Sequence, residues 1–417
     1  MKKTILSLQH LLAMFGATVL VPILTGFDPS VAIFCAGIGT LIFHACTKGV
    51  VPVFLGSSFA FIPVILAAKE AHGGDLAYAQ GGIIVAGLIY LAMSFIISKV
   101  GVDKIKKYFP AQVVGAMIAV IGLNLIPTAF DMASNNFMVA IITLGLAIAI
   151  NVFGKGFVRQ LNIIIAVAIG YIISLILGNV DVSLMSGSSF LQIPDFRLPK
   201  FSLEAIVLIA PVVLAVFMEH IGDMTTNGTV VGKNFIEEPG LHRTLMGDAL
   251  ATIAAGFLGG PANTTYGENT AVLAITKNYD PSILRRTAIC AILLACVSKF
   301  GGFLQSIPTE VMGGISIMLF SMISYVGLKT INDSKCVSSK KNIIIIATIM
   351  IIGLGTTYLG NKGIVIGIPI TSTVTITGLS LAAIVGIILN RILNKDDFKQ
   401  GVKEVTEEQA VLNSQLV

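Results

Sequence analysis

The chain has 417 residues, of which 55% are hydrophobic and only 12% are charged, and its mean hydropathy is +0.91. A soluble globular domain carries about a quarter charged residues, so this chain cannot cover a water-exposed surface with polar side chains. The composition predicts a lipid bilayer as its solvent and excludes collagen, coiled coils, disordered tail proteins and nucleic-acid binders. The formal net charge of +5 then reflects an excess of basic residues on the cytoplasmic side.

Apolar runs separated by charged or Gly/Pro-containing stretches predict an all-α polytopic membrane protein of about fourteen transmembrane segments. In the first half the predicted segments are 6–25, 31–47, 50–67, 81–100, 112–128, 137–153 and 161–178. In the second half they are 203–222, 246–260, 263–276, 284–305, 310–327, 343–360 and 368–391. The five cysteines are interpreted as small buried side chains rather than as disulfides or metal ligands.

The orientation of the segments follows from the basic residues. With the N-terminus inside, roughly 22 of the 27 Lys and Arg residues fall on the cytoplasmic side, which predicts an even number of spans and two cytoplasmic termini. The halves also resemble each other: Ser98-Lys-Val-Gly101 recurs as Ser298-Lys-Phe-Gly301, and Pro110-Ala-Gln-Val-Val-Gly115 as Pro308-Thr-Glu-Val-Met-Gly313. Ser98–Gly101 ends its predicted segment on the cytoplasmic side of the membrane, whereas Ser298–Gly301 ends its segment on the outer side. Two inverted repeats of seven segments are therefore predicted, a pattern typical of secondary transporters.

The third segment of each repeat contains residues that disfavour a continuous helix. These stretches are Leu55–Pro63 in the first half and Gly259–Asn269 in the second. Backbone groups that leave helical hydrogen bonding at membrane depth are tolerated only inside protein or beside a water-lined cavity. Matching interruptions in two halves point to a substrate site near the middle of the membrane, and the alternative is a pair of kinks without function.

Acidic residues inside apolar runs give a second indication of a site. Glu219 and Asp223 lie at positions i and i+4 and share a helix face, and Glu268 lies in the second interrupted stretch. A carboxylate in hydrocarbon costs several kcal/mol, so these side chains are expected to face an internal cavity and to exchange protons. Pairing of one glutamate with a backbone amide or with His220 is the structural alternative.

Other polar residues in the apolar runs carry weaker signals. Asp223, near the cytoplasmic end of its predicted helix, and Asp248, near the start of the next, fit a structural role equally well. His10 and His220 occupy matching positions in the two repeats and are interpreted as satisfied packing residues.

Several stretches carry a family resemblance. They are Ser7–Pro22, Gly56-Ser-Ser-Phe-Ala-Phe61, Glu219-His-Ile-Gly222, Pro239-Gly-Leu-His-Arg243 and Asn263-Thr-Thr-Tyr-Gly-Glu-Asn269. Together they resemble the uracil permeases of the nucleobase/cation symporter-2 (nucleobase–ascorbate transporter) family, over essentially the whole membrane part.

The resemblance implies an architecture. Segments 1 to 4 and 8 to 11 would form a core domain, and segments 5 to 7 and 12 to 14 a gate domain, with short antiparallel strands in segments 3 and 10. In this chain the core domain would be 1–108 and 201–306, the gate domain 109–200 and 307–391, and a cytoplasmic tail 392–417. A homodimer built largely through the gate domains, in the cell membrane, is also implied.

The resemblance also implies a function, the import of uracil with protons and without a cofactor. Glu219 and Glu268 would bind uracil, backbone groups of Phe59 and Gly267 would complete the contacts, and Ala17 and Tyr266 would line the pocket. The chemistry agrees, since uracil offers N–H donors and carbonyl acceptors, and a carboxyl group accepts or donates according to its protonation. Glu219 and Asp223 would carry the proton, and sodium is the alternative coupling ion.

Two positions depart from the family pattern. Asp223 stands where the best-known uracil permease has His, so a role of that His in proton coupling would have to be reassigned or shared. Ala271 stands where the signature has Gly, and its methyl group is expected to narrow the packing of segment 10.

Three functions are alternatives to uracil import. The alternative most similar to it is a purine permease for xanthine or uric acid, and a less similar one is an anion transporter or channel of the same architecture. An intramembrane enzyme is disfavoured because the sequence has no H-E-x-x-H metal motif and no G-x-S-x-G nucleophile motif.

Overall fold

A computed structural model of the chain describes residues 2–101, 104, 108–181, 190–360, 362–369 and 375–395. Within these ranges the chain is mostly helical and has two small two-stranded sheets. The part of the predicted tail from residue 396 onward lies outside the described residues.

The helices of the first half alternate with short connections. They are α1 (Lys2–Thr25), α2 (Pro29–Cys46), α3 (Ile62–Ala71), α4 (Leu76–Val100), α5 (Ala111–Ser134), α6 (Phe137–Phe153), α7 (Gly156–Gln160) and α8 (Asn162–Ile176). The 3₁₀ turn Phe59–Phe61 leads into α3.

The second half follows a similar course. Its helices are α9 (Leu203–Ile209), α10 (Val213–Val231), α11 (Leu241–Leu258), α12 (Gly267–Thr276), α13 (Pro281–Ala295), α14 (Ser298–Gln305), α15 (Thr309–Asp333), α16 (Lys340–Gly360) and α17 (Gly378–Leu393). The strands of both halves are β1 (Leu55–Ser57), β2 (Asn263–Thr265), β3 (Ile368–Pro369) and β4 (Thr375–Ile376). Short turns of helix lie at Ala210–Val212, Ile236–Gly240 and Cys336–Ser338.

Many of these helices are suited to a bilayer. Among the described residues, seven helical stretches are long and apolar enough to span a membrane, or eight if α13 and α14 form one bent span. The helices α6, α8 and α17 are apolar but shorter. Large side chains such as Ile141, Phe153 and Ile351 are exposed, as expected for surfaces that face lipid. The all-α polytopic prediction is confirmed at this level, whereas the count of fourteen and the inverted repeat stay predictions.

Three aspartates start helices at the ends of connections. Asp28, Asp75 and Asp280 are the N-caps of α2, α4 and α13, and each carboxylate accepts the backbone N–H two residues later. Such caps satisfy donors that have no partner inside the helix. Two of them also form ion pairs with distant lysines, Asp75 with Lys200 and Asp280 with Lys3.

The predicted end of the eighth segment was wrong. The helix α10 continues to Val231, so Asp223 lies in its middle and not near its end. Thr225 and Thr229 bond to carbonyl groups four residues earlier, and Gly232, with φ +74°, caps the helix. The next helix, α11, begins at Leu241, so that Asp248 lies two turns inside it rather than near its start.

Two further segments differ from their predicted form. Helices α13 and α14 replace the continuous segment 284–305 and meet at 83°. The carbonyl of Cys296 at this bend accepts the N–H of Gln192 rather than continuing the helix. Segment 368–391 begins with the antiparallel strands β3 and β4, because its β-branched residues suit extended backbone, and only then forms α17.

Two pairs of long helices form the frame around the middle of the molecule. Helix α4 packs along α11, and α5 packs along α15. Glycines permit the close approach: a methyl group on Gly87 would meet Ile253 and the carbonyl of Ala249, and one on Gly122 would meet Ser324.

Candidate functional site

The predicted strands in the third and tenth segments are present and pair with each other. Strands β1 and β2 are antiparallel, with Leu55 opposite Thr265 and Ser57 opposite Asn263. Each strand leads directly into a short helix, β1 through the 3₁₀ turn into α3 and β2 into α12. The backbone groups freed at membrane depth are therefore satisfied by a buried strand pair.

Tyr266 fixes the geometry of this strand pair. Its hydroxyl donates to the carbonyl of Ser57 at 3.0 Å, and its ring lies against Gly56, where a methyl group would overlap the ring carbons. Tyr266 and Gly56 belong to different halves of the chain, and both are buried. Glycine is needed at position 56 because the aromatic ring occupies the space of a side chain.

Neighbouring helices hold the strands in place. Leu55 N–H donates to Thr40 Oγ1 at 2.9 Å on α2, and Asn263 Nδ2 donates to the Cys35 carbonyl at 3.1 Å on the same helix. Ser57 Oγ donates to the Thr18 carbonyl of α1 at 3.2 Å. This contact places the fully buried Ala17, a predicted pocket residue, beside β1.

Three predicted acidic residues come together beside the strand pair. Glu219 and Asp223 lie on α10 and Glu268 lies in the first turn of α12, close enough that the charges of Asp223 and Glu268 act on Glu219. Thr265 Oγ1 donates to Asp223 Oδ2 at 2.6 Å, which ties α10 to β2. All three side chains are only half-buried, unlike Asp248, so they border accessible space.

The two carboxylate oxygens of Glu219 have different surroundings. Oε2 is buried and makes no hydrogen bond with any described residue. The exposed part of the side chain therefore lies on the Oε1 side, which faces the accessible space.

His220 is a packing residue, as predicted, but its partner was not foreseen. The ring is fully buried; Nδ1 lies 2.8 Å from Asp248 Oδ2 and Nε2 lies 2.9 Å from Thr244 Oγ1. Glu219 is thus not paired with His220. His10, in the first half, takes a hydrogen bond from Asn269 Nδ2 to its carbonyl at 3.1 Å.

A helical turn begins directly after each of the two paired strands. Phe59 begins the 3₁₀ turn after β1, and Gly267 begins α12 after β2. The first N–H groups of a helix have no intrahelical partner and can bind acceptor atoms. Gly267 is exposed and no atom lies within 4 Å of the position of a side chain there, so its backbone is open to a ligand.

The ring of Phe59 forms a contact that sequence reasoning missed. It meets Phe320 of α15 edge to face, with 5.7 Å between ring centroids and 81° between planes. An aromatic residue in an apolar helix gives no signal of such a contact in the sequence.

A cavity of about 200 Å³ is lined in part by Phe59. Its polar lining comes from amide and hydroxyl side chains, namely Asn124, Thr356, Thr357, Thr375, Thr377 and Ser380. None of the three clustered acids lines this cavity, so it is separate from the space that they border.

The expected effect of Ala271 was wrong. The residue is exposed on α12, whereas Val272 and Leu273 are buried. Its methyl group therefore does not narrow the packing of the tenth segment.

The fold matches solved membrane transporters. The transmembrane domain of the cyanobacterial bicarbonate transporter BicA has a TM-score of 0.62, is 14% identical, and is matched over 93% of this chain and 96% of that one. The murine Slc26a9 anion transporter in the inward-facing state has a TM-score of 0.71 at 9% identity, over 95% of this chain and 68% of that one. At such low identity the likeness shows the fold alone, that of a multi-pass membrane transporter.

Sequence comparison narrows this class. A model described as the permease family matches residues 1–362. The uracil permease of Bacillus caldolyticus is 42% identical, over 93% of this chain and 91% of its own length, and that of Escherichia coli K12 is 38% identical, over 93% and 90%. The putative pyrimidine permease RutG of Escherichia coli K12 is 34% identical, over 94% and 89%. The chain belongs to the permease family, whose members are transporters rather than enzymes, and the prediction that it is not an enzyme is confirmed.

Proposed function

We propose that this protein imports uracil by proton symport. The observation that carries the proposal is the meeting of Glu219, Asp223 and Glu268 beside a strand pair made from both interrupted segments. The similarity to proteins named uracil permease supports uracil as the substrate, and the similarity to a putative pyrimidine permease supports a pyrimidine over xanthine or uric acid.

The proposed binding mode uses hydrogen bonds to both kinds of polar group on uracil. Glu268 and the accessible Oε1 side of Glu219 accept from, or when protonated donate to, the ring edge. The backbone N–H groups of Phe59 and Gly267 donate to carbonyl oxygens. Ala17 and Tyr266 shape the pocket, Tyr266 through its contact with Gly56. A site of this kind discriminates strongly against analogues that leave its polar groups unpaired.

Proton coupling is assigned to Glu219 and Asp223. An uncharged site crosses the apolar interior at lower cost than an ionised one, so protonation before translocation would link the two fluxes. The hydrogen bond from Thr265 holds Asp223 beside the strand pair, in the position where the family resemblance expects a histidine. Sodium in place of the proton is the alternative, and the pH dependence of binding with and without sodium separates the two.

Transport would proceed by alternating access. The core domain, 1–108 and 201–306, would move against the gate domain, 109–200 and 307–391, as two inverted repeats of seven segments with both termini in the cytoplasm. Packing of α4 on α11 and of α5 on α15 is consistent with this division, and the contact between Phe59 and Phe320 would lie between the domains. A homodimer in the cell membrane, formed largely through the gate domains, completes the proposal.

Equilibrium binding of labelled uracil to the purified protein tests the substrate and the site together. The wild type is expected to bind uracil, and unlabelled xanthine in excess is expected not to displace it. Glu268→Gln is expected to lose binding, whereas Glu237→Gln, which alters an exposed carboxylate, is the matched control and should bind normally. Full affinity in Glu268→Gln would contradict the site, and displacement by xanthine would contradict the substrate.

A further inference from the structure

Three buried polar atoms near Glu219 make no hydrogen bond with any described residue. They are Glu219 Oε2 on α10, Asp248 Oδ1 on α11 and the hydroxyl of Tyr90 on α4. Tyr90 and Asp248 are each only 1% exposed. A buried polar group without a partner is destabilising, so three of them in one region indicate a shared partner.

The packing of α4 on α11 brings Tyr90 into the neighbourhood of Asp248. One turn before Tyr90, a methyl group on Gly87 would lie 3.0 Å from the carbonyl of Ala249, and one turn after it, Ser94 Oγ donates to the carbonyl of His242. Tyr90 therefore lies opposite the stretch of α11 that contains Asp248. Asp248 in turn contacts His220, the chain neighbour of Glu219, and the charges of Asp248 and Glu219 both act on the Tyr90 hydroxyl.

Both ring nitrogens of the neighbouring histidine have hydrogen-bond partners. His220 Nε2 lies 2.9 Å from the Thr244 hydroxyl, which is also 3.1 Å from the Leu241 carbonyl. The contact between Nδ1 and Asp248 Oδ2 holds one proton, whichever of the two atoms carries it. The His220–Asp248 pair leaves one carboxylate oxygen, Asp248 Oδ1, without a hydrogen-bond partner among the described residues.

We propose that Tyr90, Asp248 Oδ1 and Glu219 Oε2 hold one internal water molecule, which links Glu219 to the His220–Asp248 pair and makes Tyr90 a positioning residue for proton uptake. The three groups do not bond to one another directly, and an internal water with two to four polar partners commonly satisfies buried polar groups that have no protein partner. The inference deepens the proposed proton symport and rests on it.

The other titratable groups around the three buried atoms define what removal of the Tyr90 hydroxyl can change. The charges of Asp223, Asp248 and Glu268 interact electrostatically with Glu219, and those of Glu219 and Glu268 interact with Tyr266. Removal of the Tyr90 hydroxyl alters none of these charges. It removes only a donor that stabilises the ionised form of Glu219 through the water, so protonation of Glu219 should persist to higher pH.

The test is uracil affinity of the purified full-length protein between pH 5 and 8. In Tyr90→Phe the affinity at the lowest pH is expected to stay within about twofold of wild type, and the pH at which affinity has fallen by half is expected to rise by roughly half to one unit. Tyr325→Phe, which removes the hydroxyl of an exposed tyrosine on α15, is the matched control and should leave the profile unchanged.

A double-mutant cycle separates the water-linked network from independent effects. If Tyr90 and Asp248 act through one water, Tyr90→Phe should add no shift in an Asp248→Asn background. An unshifted Tyr90→Phe profile, or shifts that add in the double variant, would overturn the inference while wild-type uracil binding still upheld the proposed function. Absence of uracil binding by the wild type at every pH would instead overturn the proposed function.

Discussion

The interrupted segment of the first half, Leu55–Ala71, and that of the second half, Asn263–Thr276, share a backbone plan. Each has a three-residue strand and then a ten-residue helix, and the two strands pair with each other. Their side chains differ. After its strand the first segment has Phe59-Ala-Phe61, all buried, whereas the second has Tyr266-Gly-Glu268, with Gly267 exposed.

The difference shows that repetition of a scaffold does not repeat its chemistry. In the proposed site the first segment would supply apolar surface and backbone donors and the second a carboxylate, while Glu219 and Asp223 lie on α10. The asymmetry suits a planar polar ligand, because a ligand edge held by hydrogen bonds and a ring face held by apolar contact need different walls.

The largest expected effect on uracil uptake distinguishes the role of the Glu268 carboxylate from that of the apolar Phe59 side chain. Glu268→Ala should lower uracil uptake about 100-fold or more, because truncation leaves polar ligand groups unpaired in a desolvated site. Phe59→Leu keeps the backbone donor and an apolar side chain, and should keep uptake within about fivefold of wild type. Initial rates of labelled uracil uptake into proteoliposomes measure both. Similar losses in the two variants would contradict the division of roles.

A smaller effect concerns one glycine in each segment. Gly56→Ala places a methyl group against the Tyr266 ring and should lower stability by about 1–3 kcal/mol, seen as a reduced Tm. Gly267→Ala is the matched substitution, and no atom lies within 4 Å of its new methyl group, so Tm should not change. Equal Tm values for the two variants would show that the strands do not pack as described.

The third prediction concerns two neighbouring threonines of β2. Thr265→Val removes the hydrogen bond to Asp223 and should weaken uracil binding by up to about tenfold, since the carboxylate loses the donor that orients it. Thr264 Oγ1 is buried and makes no hydrogen bond with any described residue, so Thr264→Val should be neutral or slightly stabilising. Binding isotherms of the two variants at one pH measure both effects on uracil affinity. A larger loss in Thr264→Val than in Thr265→Val would contradict the prediction.

The smallest expected effect concerns stability and the N-caps of the helices that follow the two interrupted segments, Asp75 of α4 and Asp280 of α13. The Lys3 ammonium beside Asp280 lowers the pKa of that carboxyl to about 2, and Lys200 likewise lowers the pKa of Asp75. Because these values are below those of the unfolded chain, the stabilisation is present above about pH 4 and is lost as pH falls toward 2. Lys3→Met should therefore lower Tm slightly at pH 7, because an exposed ion pair adds well under about 1 kcal/mol to the free energy of unfolding, and the difference should shrink in acid. A loss that grows as pH falls would contradict this assignment.

The sequence predicts the parts of the site that lie close together along the chain. The interrupted segments were recognisable from Gly, Pro and Asn at membrane depth, and Glu219, Asp223 and Glu268 from their charge in apolar runs. Contacts between distant helices were not recognisable. The His220–Asp248 pair, the Phe59–Phe320 contact and the bend after α13 depend on which helices pack together, and no spacing in one chain encodes those neighbours.

Proton-driven uptake tests the central proposal most directly. Labelled uracil uptake into proteoliposomes should accelerate when the inside is more alkaline than the outside, should lose that acceleration when a protonophore collapses the gradient, and should not depend on sodium. Exchange of internal for external uracil should continue without the gradient. Uptake that ignores the proton gradient, or that Glu268→Ala leaves intact, would contradict the account of a proton-coupled uracil site between the two interrupted segments.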